Sequence, residues 1–184
     1  MEEGVVKDSD LGTPQGGVIS PLLANVVLDF LDSVWERQCK RLGLLVRYAD
    51  DFVVLCRTRE AAEEALRRLG IILGRLRLTL HPDKTRIVEL GLGKDGFDFL
   101  GCHLRIVQSH FKGRTYLFRW PGDKSMKNIR DKVRGLTDRR CRAGMADIGE
   151  VIEDLNPVLR GWGNHFRTGN ASKKFHQIDR YVER

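Results

Sequence analysis

Two adjacent carboxylates, Asp50 and Asp51, stand between two apolar runs in the stretch Arg47-Tyr48-Ala49-Asp50-Asp51-Phe52-Val53-Val54-Leu55. Neighbouring carboxylates repel each other, and one titrates high unless a positive charge sits between them. A divalent cation supplies that charge. Mg²⁺ prefers carboxylate oxygens completed by water and substrate phosphates. Two such ions about 3.5–4 Å apart are the standard device for nucleotidyl transfer. Asp-Asp also occurs in solvated turns, so the flanks matter. Leu44 to Tyr48 and Phe52 to Cys56 are rich in residues that favour strands. The segment reads as a tight hairpin with Asp50 and Asp51 at its tip, and both are candidate catalytic residues and Mg²⁺ ligands.

The elements that must position this hairpin are legible on either side. Gly12-Thr13-Pro14-Gln15-Gly16-Gly17-Val18-Ile19-Ser20-Pro21 holds three glycines and two prolines, which makes it a loop with unusual backbone angles. Such a loop feeding a helix N-terminus could cradle phosphate, although many are only turns. Ser20-Pro21 reads as N-cap and first helical position. Leu22, Leu23, Val26, Val27, Phe30, Leu31, Val34 and Trp35 recur at helical spacing and predict a helix from about Pro21 to Arg41, ended near Gly43. After the hairpin, Thr58 can cap a helix over Arg59–Leu76, whose apolar face should pack on the back of the hairpin sheet. Glu63–Arg67 and Glu64–Arg68 are its expected i,i+4 pairs. Leu78 to Val88 reads as two short strands turned by Pro82. Phe97 to about Val107 reads as one strand, paired with Tyr116–Trp120 across Gln108–Arg114.

Beyond Pro121-Gly122 the pattern is helical: Ser125–Arg142, then Asp147–Leu155 and Pro157–Thr168, jointed at Asn156-Pro157. The fold class expected is α+β. A domain of residues 1–120 holds an antiparallel sheet with two packed helices, and a helical domain fills residues 121–184.

Bulk properties narrow the partners. The 184 residues can bury a real core. No run approaches the roughly 18 apolar residues of a membrane span, and the acidic start lacks a signal-peptide core, so a cytoplasmic setting and no membrane partner are expected. The cysteines, Cys39, Cys56, Cys102 and Cys141, form no Cys-x-x-Cys pair, so neither a zinc ribbon nor a disulfide framework is indicated. Residues 1–99 hold 14 Lys/Arg against 16 Asp/Glu, whereas residues 100–184 hold 18 against 9. The segments therefore carry −2 and +9. A basic second half suits a polyanionic partner, because phosphates that it neutralises release counterions. A basic surface kept for solubility is the alternative.

Tyr-Ala-Asp-Asp between two hydrophobic strands resembles the catalytic hairpin of reverse transcriptases, in the form used by group II intron and related bacterial enzymes. Residues 12–25, Gly-Thr-Pro-Gln-Gly-Gly-Val-Ile-Ser-Pro-Leu-Leu-Ala-Asn, resemble the Pro-Gln-Gly block of the same family almost letter for letter. The resemblance implies that Gln15, Gly16 and Gly17 contact the template–primer and the incoming nucleotide, and that Tyr48 and Ala49 shape the floor under the primer end. The block around Leu80-His81-Pro82-Asp83-Lys84 implies that Lys84 is a triphosphate contact or general acid for pyrophosphate; a surface lysine in a turn is the other reading. Phe97-Asp98-Phe99-Leu100-Gly101 is the next block in order, with Cys102 where the family usually has a bulkier residue. The basic helix after Pro121-Gly122 looks like the start of a polymerase thumb.

Residues 155–175 resemble the maturase-specific region, which implies intron RNA binding for splicing. Arg160, Arg167, Lys173 and Lys174 are the candidate contacts to RNA. Trp162 and Phe166, four apart, are either core or stacking platforms. The partners implied are an RNA template with a DNA primer, group II intron RNA and deoxynucleoside triphosphates. Only Asp8 and Asp10 precede the Pro-Gln-Gly block, too close to it to supply the family's third, upstream aspartate. The chain thus resembles the second half of a palm, a thumb and part of a maturase region, and is expected to be a poor or inactive polymerase alone. A binding-only splicing module, or a split enzyme whose other chain supplies the N-terminal half, are the rival readings.

Overall fold

The computed structural model describes residues 18–109, 113–137 and 148–183. They form five helices and two small antiparallel sheets, the α+β class expected. The chain divides into two compact units, at residues 1–87 and 88–184.

In the first unit, α1 (Ser20–Val34) runs into a wider π turn over Trp35–Cys39. Leu28, Leu31, Trp35 and Cys39 line the inner stripe and are buried. The helix N-cap is Ile19 rather than the expected Ser20, which lies inside the first turn with Pro21 beside it. Trp35 Nε1 donates to the Gly43 carbonyl at 3.0 Å and ties the helix end to the next strand. Gly43 is needed there, since a Cβ would stand 2.6 Å from the Leu55 carbonyl oxygen. Strands β1 (Gly43–Tyr48) and β2 (Asp51–Cys56) then pair in the register Tyr48↔Asp51, Arg47↔Phe52, Leu45↔Val54. Leu45, Phe52, Val54 and Cys56 pack on the cluster made by α1 and by α2 (Arg59–Arg75), which contributes Ala65, Leu69, Ile72 and Leu73. Alternation by two in the strands and by 3.6 in the helices thus delivers one shared core.

The Thr58 hydroxyl caps α2 by accepting from the Ala61 N–H at 3.2 Å, as expected. Of the anticipated ion pairs, Glu64–Arg68 forms, but Glu64 also takes Arg67, and Glu63 turns back to Arg59. The helix ends in a Schellman closure: Leu78 N–H bonds the Leu73 carbonyl, and Arg77 N–H bonds that of Gly74. Arg77 takes φ +58°, where glycine is the usual residue. The two strands expected around Pro82 do not form. The turn is present, but His81 accepts from both Lys84 N–H and Thr85 N–H. A helical turn of that kind does not return its flanks in hairpin register.

In the second unit, β3 (Phe97–Phe99), β4 (Cys102–Gln108) and β5 (Thr115–Pro121) form an antiparallel meander. The single strand expected over Phe97 to Val107 is therefore a hairpin. Leu100 (φ +49°) and Gly101 (φ +75°) occupy its two-residue turn, the paired positive angles of a tight β-connection. Helices α3 (Asp123–Thr137), α4 (Ile148–Phe166) and α5 (Ser172–Val182) bury Met126, Ile129, Val133, Leu155 and Ile178 against one another. The break expected at Asn156-Pro157 is absent: α4 runs through Pro157. Proline costs this helix one backbone hydrogen bond, while Leu155, Val158, Leu159 and Trp162 on both sides of it pack into the same cluster. Burial on the two sides holds the helix axis together. The α4–α5 turn is fixed to edge strand β5, where Asn170 N–H donates to the Arg119 carbonyl at 2.6 Å. Gly169 permits that approach; a Cβ would meet the same oxygen at 2.3 Å.

Two tests concern α2. Arg77→Gly should raise the stability of the first unit by up to about 1 kcal/mol, the left-handed penalty less glycine's entropy, read by urea denaturation. Arg67 and Arg68 lower the Glu64 carboxyl from 4.5 to about 2. A lowered folded-state pKa contributes stability that is complete above the unfolded value and lost as pH falls toward 2. The melting-temperature gap between wild type and Glu64→Gln should therefore be widest above about pH 5 and close on acidification toward pH 2; a constant gap would contradict the pairing.

Candidate active site and nucleic-acid interface

The hairpin tip is built from Tyr48, Ala49, Asp50 and Asp51. Tyr48 and Asp51 are the last paired residues, so the turn consists of Ala49 and Asp50 alone. Ala49 takes φ +52°. An L-residue with a side chain pays roughly 1–2 kcal/mol for that angle, and the surroundings must hold it there. Pairing across the register puts the Asp51 and Tyr48 side chains on one face, and both are exposed, as is Asp50. Among the described residues, no hydrogen bond or ion pair engages the Asp50 or Asp51 side chain. Two unencumbered hard-oxygen donors, adjacent in sequence and open to solvent, suit Mg²⁺, which completes its shell with water and phosphate. No cluster of three or more potential ligands occurs among the described residues.

Sequence reasoning passed over the residue that grips this tip. Arg47 lies on the inner face of β1, where the alternation otherwise places Leu45, and its side chain is only 13 % exposed. Its guanidinium reaches three partners. Nε and Nη2 donate to the Asp32 carboxylate on α1 at 2.5–3.0 Å, and Nη1 donates to Asn25 Oδ1 at 3.1 Å. Nη1 also donates to the Ala49 carbonyl at 2.8 Å. The Asp32 hydrogen bonds push the Arg47 guanidinium above its ordinary pKa, against the opposing effect of burial. The available signal was a cation at an inward position of an alternating strand, since buried charges are paired.

The other expected site residues are spread out. Gln15, Gly16 and Gly17 lie outside the described residues. Lys84 is exposed in the Pro82–Lys84 turn of the first unit. In the second unit, Arg160 on α4, Arg167 just after it and Lys173 in the first turn of α5 are all exposed. Lys174 is half-buried and faces Asp123 of α3 at 3.6 Å, so it also has a bracing role. Of the basic side chains on α3, Lys127 and Arg134 both flank Asp131; Arg139, Arg140 and Arg142 lie outside the described residues.

The aromatic residues turn inward. Trp162 sits 5.2 Å from Phe166 and 5.3 Å from Phe175, ring centre to ring centre, and Phe166 is buried. The core reading therefore holds for Trp162 and Phe166. Trp162 Nε1 is buried without a hydrogen-bond partner among the described residues. His103 is held at both ring nitrogens, by Asp98 Oδ1 at 2.7 Å and the Asp95 carbonyl at 2.8 Å. Burial pushes the neighbouring Cys102 thiol up.

Comparison with known proteins bears on both halves. The family "Reverse transcriptase (RNA-dependent DNA polymerase)" matches residues 3–104, and "Group II intron, maturase-specific domain" matches residues 126–184. Protein YkfC of Escherichia coli is 31% identical over 157 residues, covering 68% of this chain and 40% of that protein. An uncharacterized 91 kDa protein in a cob intron of Schizosaccharomyces pombe is 23% identical over 239 residues, covering 90% of this chain and 29% of that protein. The chain thus spans less than half the length of either relative. With the polymerase match carrying the Asp50–Asp51 hairpin and the maturase match carrying α4 and α5, the chain belongs to the group II intron reverse transcriptase/maturase family.

Proposed function

We propose that this chain forms the metal-binding part of the palm, the thumb and part of the maturase region of an RNA-directed DNA polymerase that also assists splicing of its group II intron. The observation that carries the reading is the solvent-open Asp50–Asp51 pair at a tight hairpin tip within the segment matched to reverse transcriptases. Asp50 and Asp51 would hold Mg²⁺, with the third carboxylate coming from elsewhere. When bound, the two ions supply activation of the primer 3′-hydroxyl and neutralisation of the leaving pyrophosphate. Tyr48 and Ala49 support the primer end. Gln15, Gly16 and Gly17 contact the nascent pair, and Lys84 meets the triphosphate. Arg160, Arg167, Lys173 and Lys174 neutralise phosphates of the intron RNA.

A split enzyme, with the N-terminal half of the palm on a separate chain, stays a rival reading. It is supported by the apolar side chains exposed along one side of α1, including Leu22, Val26 and Val27, and by Leu44 and Leu55 on the outer face of the hairpin. Large apolar side chains exposed on these faces suit an interaction site. The second reading, a splicing module without polymerase activity, is favoured by the exposure of Arg160, Arg167 and Lys173.

Primer extension on an RNA template with Mg²⁺, run beside RNA binding, separates the two. On the polymerase reading, this chain alone extends poorly, and extension gained on adding the missing half is lost in Asp50→Ala while RNA binding is kept. Extension that never appears in any mixture would leave the splicing module. Arg167→Ala with Lys173→Ala should weaken intron RNA binding and reduce the slope of log K against log[salt] by about two. An unchanged slope would remove these residues from the interface.

A further inference from the structure

We propose that Arg47 is a positioning residue for the carboxylate pair: its guanidinium clamps the left-handed Ala49 turn to helix α1 and so sets where Asp50 and Asp51 project. The inference rests on the reading that these two aspartates hold the metal. Three observations meet at Arg47. The turn has only two residues, so the direction of the Asp50 side chain follows directly from the backbone angles of Ala49 and Asp50. Ala49 stands at φ +52° without the glycine that such a turn favours at its first position, so an outside contact must hold it. The Nη1 bond to the Ala49 carbonyl is that contact, and the bonds to Asp32 and Asn25 anchor its other end on α1.

The side-chain type matters. A planar guanidinium presents five donors in a rigid fork, and can meet a carboxylate on one side and two further acceptors on another. A lysine ammonium at the same place keeps the charge and can still pair with Asp32. It cannot span Asp32, Asn25 and the Ala49 carbonyl in one fixed geometry.

Simple electrostatics opposes this role, which makes it testable. A cation near a metal site repels the metal, so on charge alone its removal should tighten metal binding. A clamp predicts the reverse. The probe is Mn²⁺ alone, titrated into the full chain and followed by the loss of the free-ion electron paramagnetic resonance signal. Arg47→Lys and Arg47→Gln should each weaken Mn²⁺ binding by about tenfold, the usual effect of losing a residue that orients metal ligands. Ala49→Gly in the Arg47→Lys background should recover part of that loss, because glycine accepts the turn angle unaided. Far-UV circular dichroism and thermal melting monitor the fold; should Arg47→Gln unfold the first unit, the Arg47→Lys pair of variants carries the test. Asp50→Asn serves as the control on the underlying reading. If it abolishes binding while Arg47→Lys leaves affinity unchanged, or Arg47→Gln tightens it, the clamp is overturned and the carboxylate site stands. If Asp50→Asn binds Mn²⁺ as wild type does, the metal reading falls and the clamp with it.

Discussion

A two-stranded ribbon does not hold itself together in water, and the chemistry proposed here sits on the tip of one. Everything in the first unit answers that constraint. The inner faces of β1 and β2 are covered by Leu31 from α1, by Trp35 from the π turn that follows it, and by Ala65, Leu69, Ile72 and Leu73 from α2. Trp35 reaches past the apolar contact to fix the strand's first carbonyl, and Gly43 lets the neighbouring strand close in. At the far end of the ribbon apolar packing gives way to a polar tie, the Arg47–Asp32 pair. The hairpin is therefore anchored at its base by packing and at its tip by a directional, charge-assisted contact. Directional contacts at the tip make sense where placement matters: packing tolerates small slides, whereas a bidentate fork fixes both distance and angle.

Much of this was legible in the sequence, and the parts that were not share a cause. The helix over residues 20–39, the Thr58 cap, the hairpin and the inward face of α2 follow from periodicity and local capping chemistry, which a short window contains. The misreadings fall where a local signal was overruled by contacts from distant residues. Pro157 has the local character of a helix breaker, yet α4 continues because side chains on both sides of it pack against α3 and α5. Leu100 has no turn signature, and only the following Gly101 hinted that Phe97 to Val107 folds back on itself. The flanks of Pro82 have strand-like residues, but strands exist only where a partner offers its edge.

For the site, the aspartates announced themselves because adjacent carboxylates are chemically conspicuous. Arg47 did not, since its role depends on which face of a strand it occupies and on an aspartate 15 residues earlier. It could have been found by asking why a cation stands at an inward position. Trp162 and Phe166 illustrate the converse: aromatic residues among basic ones suggest base stacking, but their spacing places them on the packed side of a helix.

The division of charge along the chain suits what each segment is proposed to bind. A site that collects divalent cations needs net negative potential, and the segment through residue 99 carries −2. A surface that grips a phosphate backbone needs the opposite, and residues 100–184 carry +9. Lysines and arginines crowded around Asp50 and Asp51 would compete with a metal for the same oxygens. Arg47, a cation brought close to the carboxylate turn, is consistent with this logic: its charge is directed to Asp32, and it meets the turn through a backbone carbonyl rather than through the Asp50 or Asp51 side chain. It can hold the turn without occupying the oxygens that the turn presents.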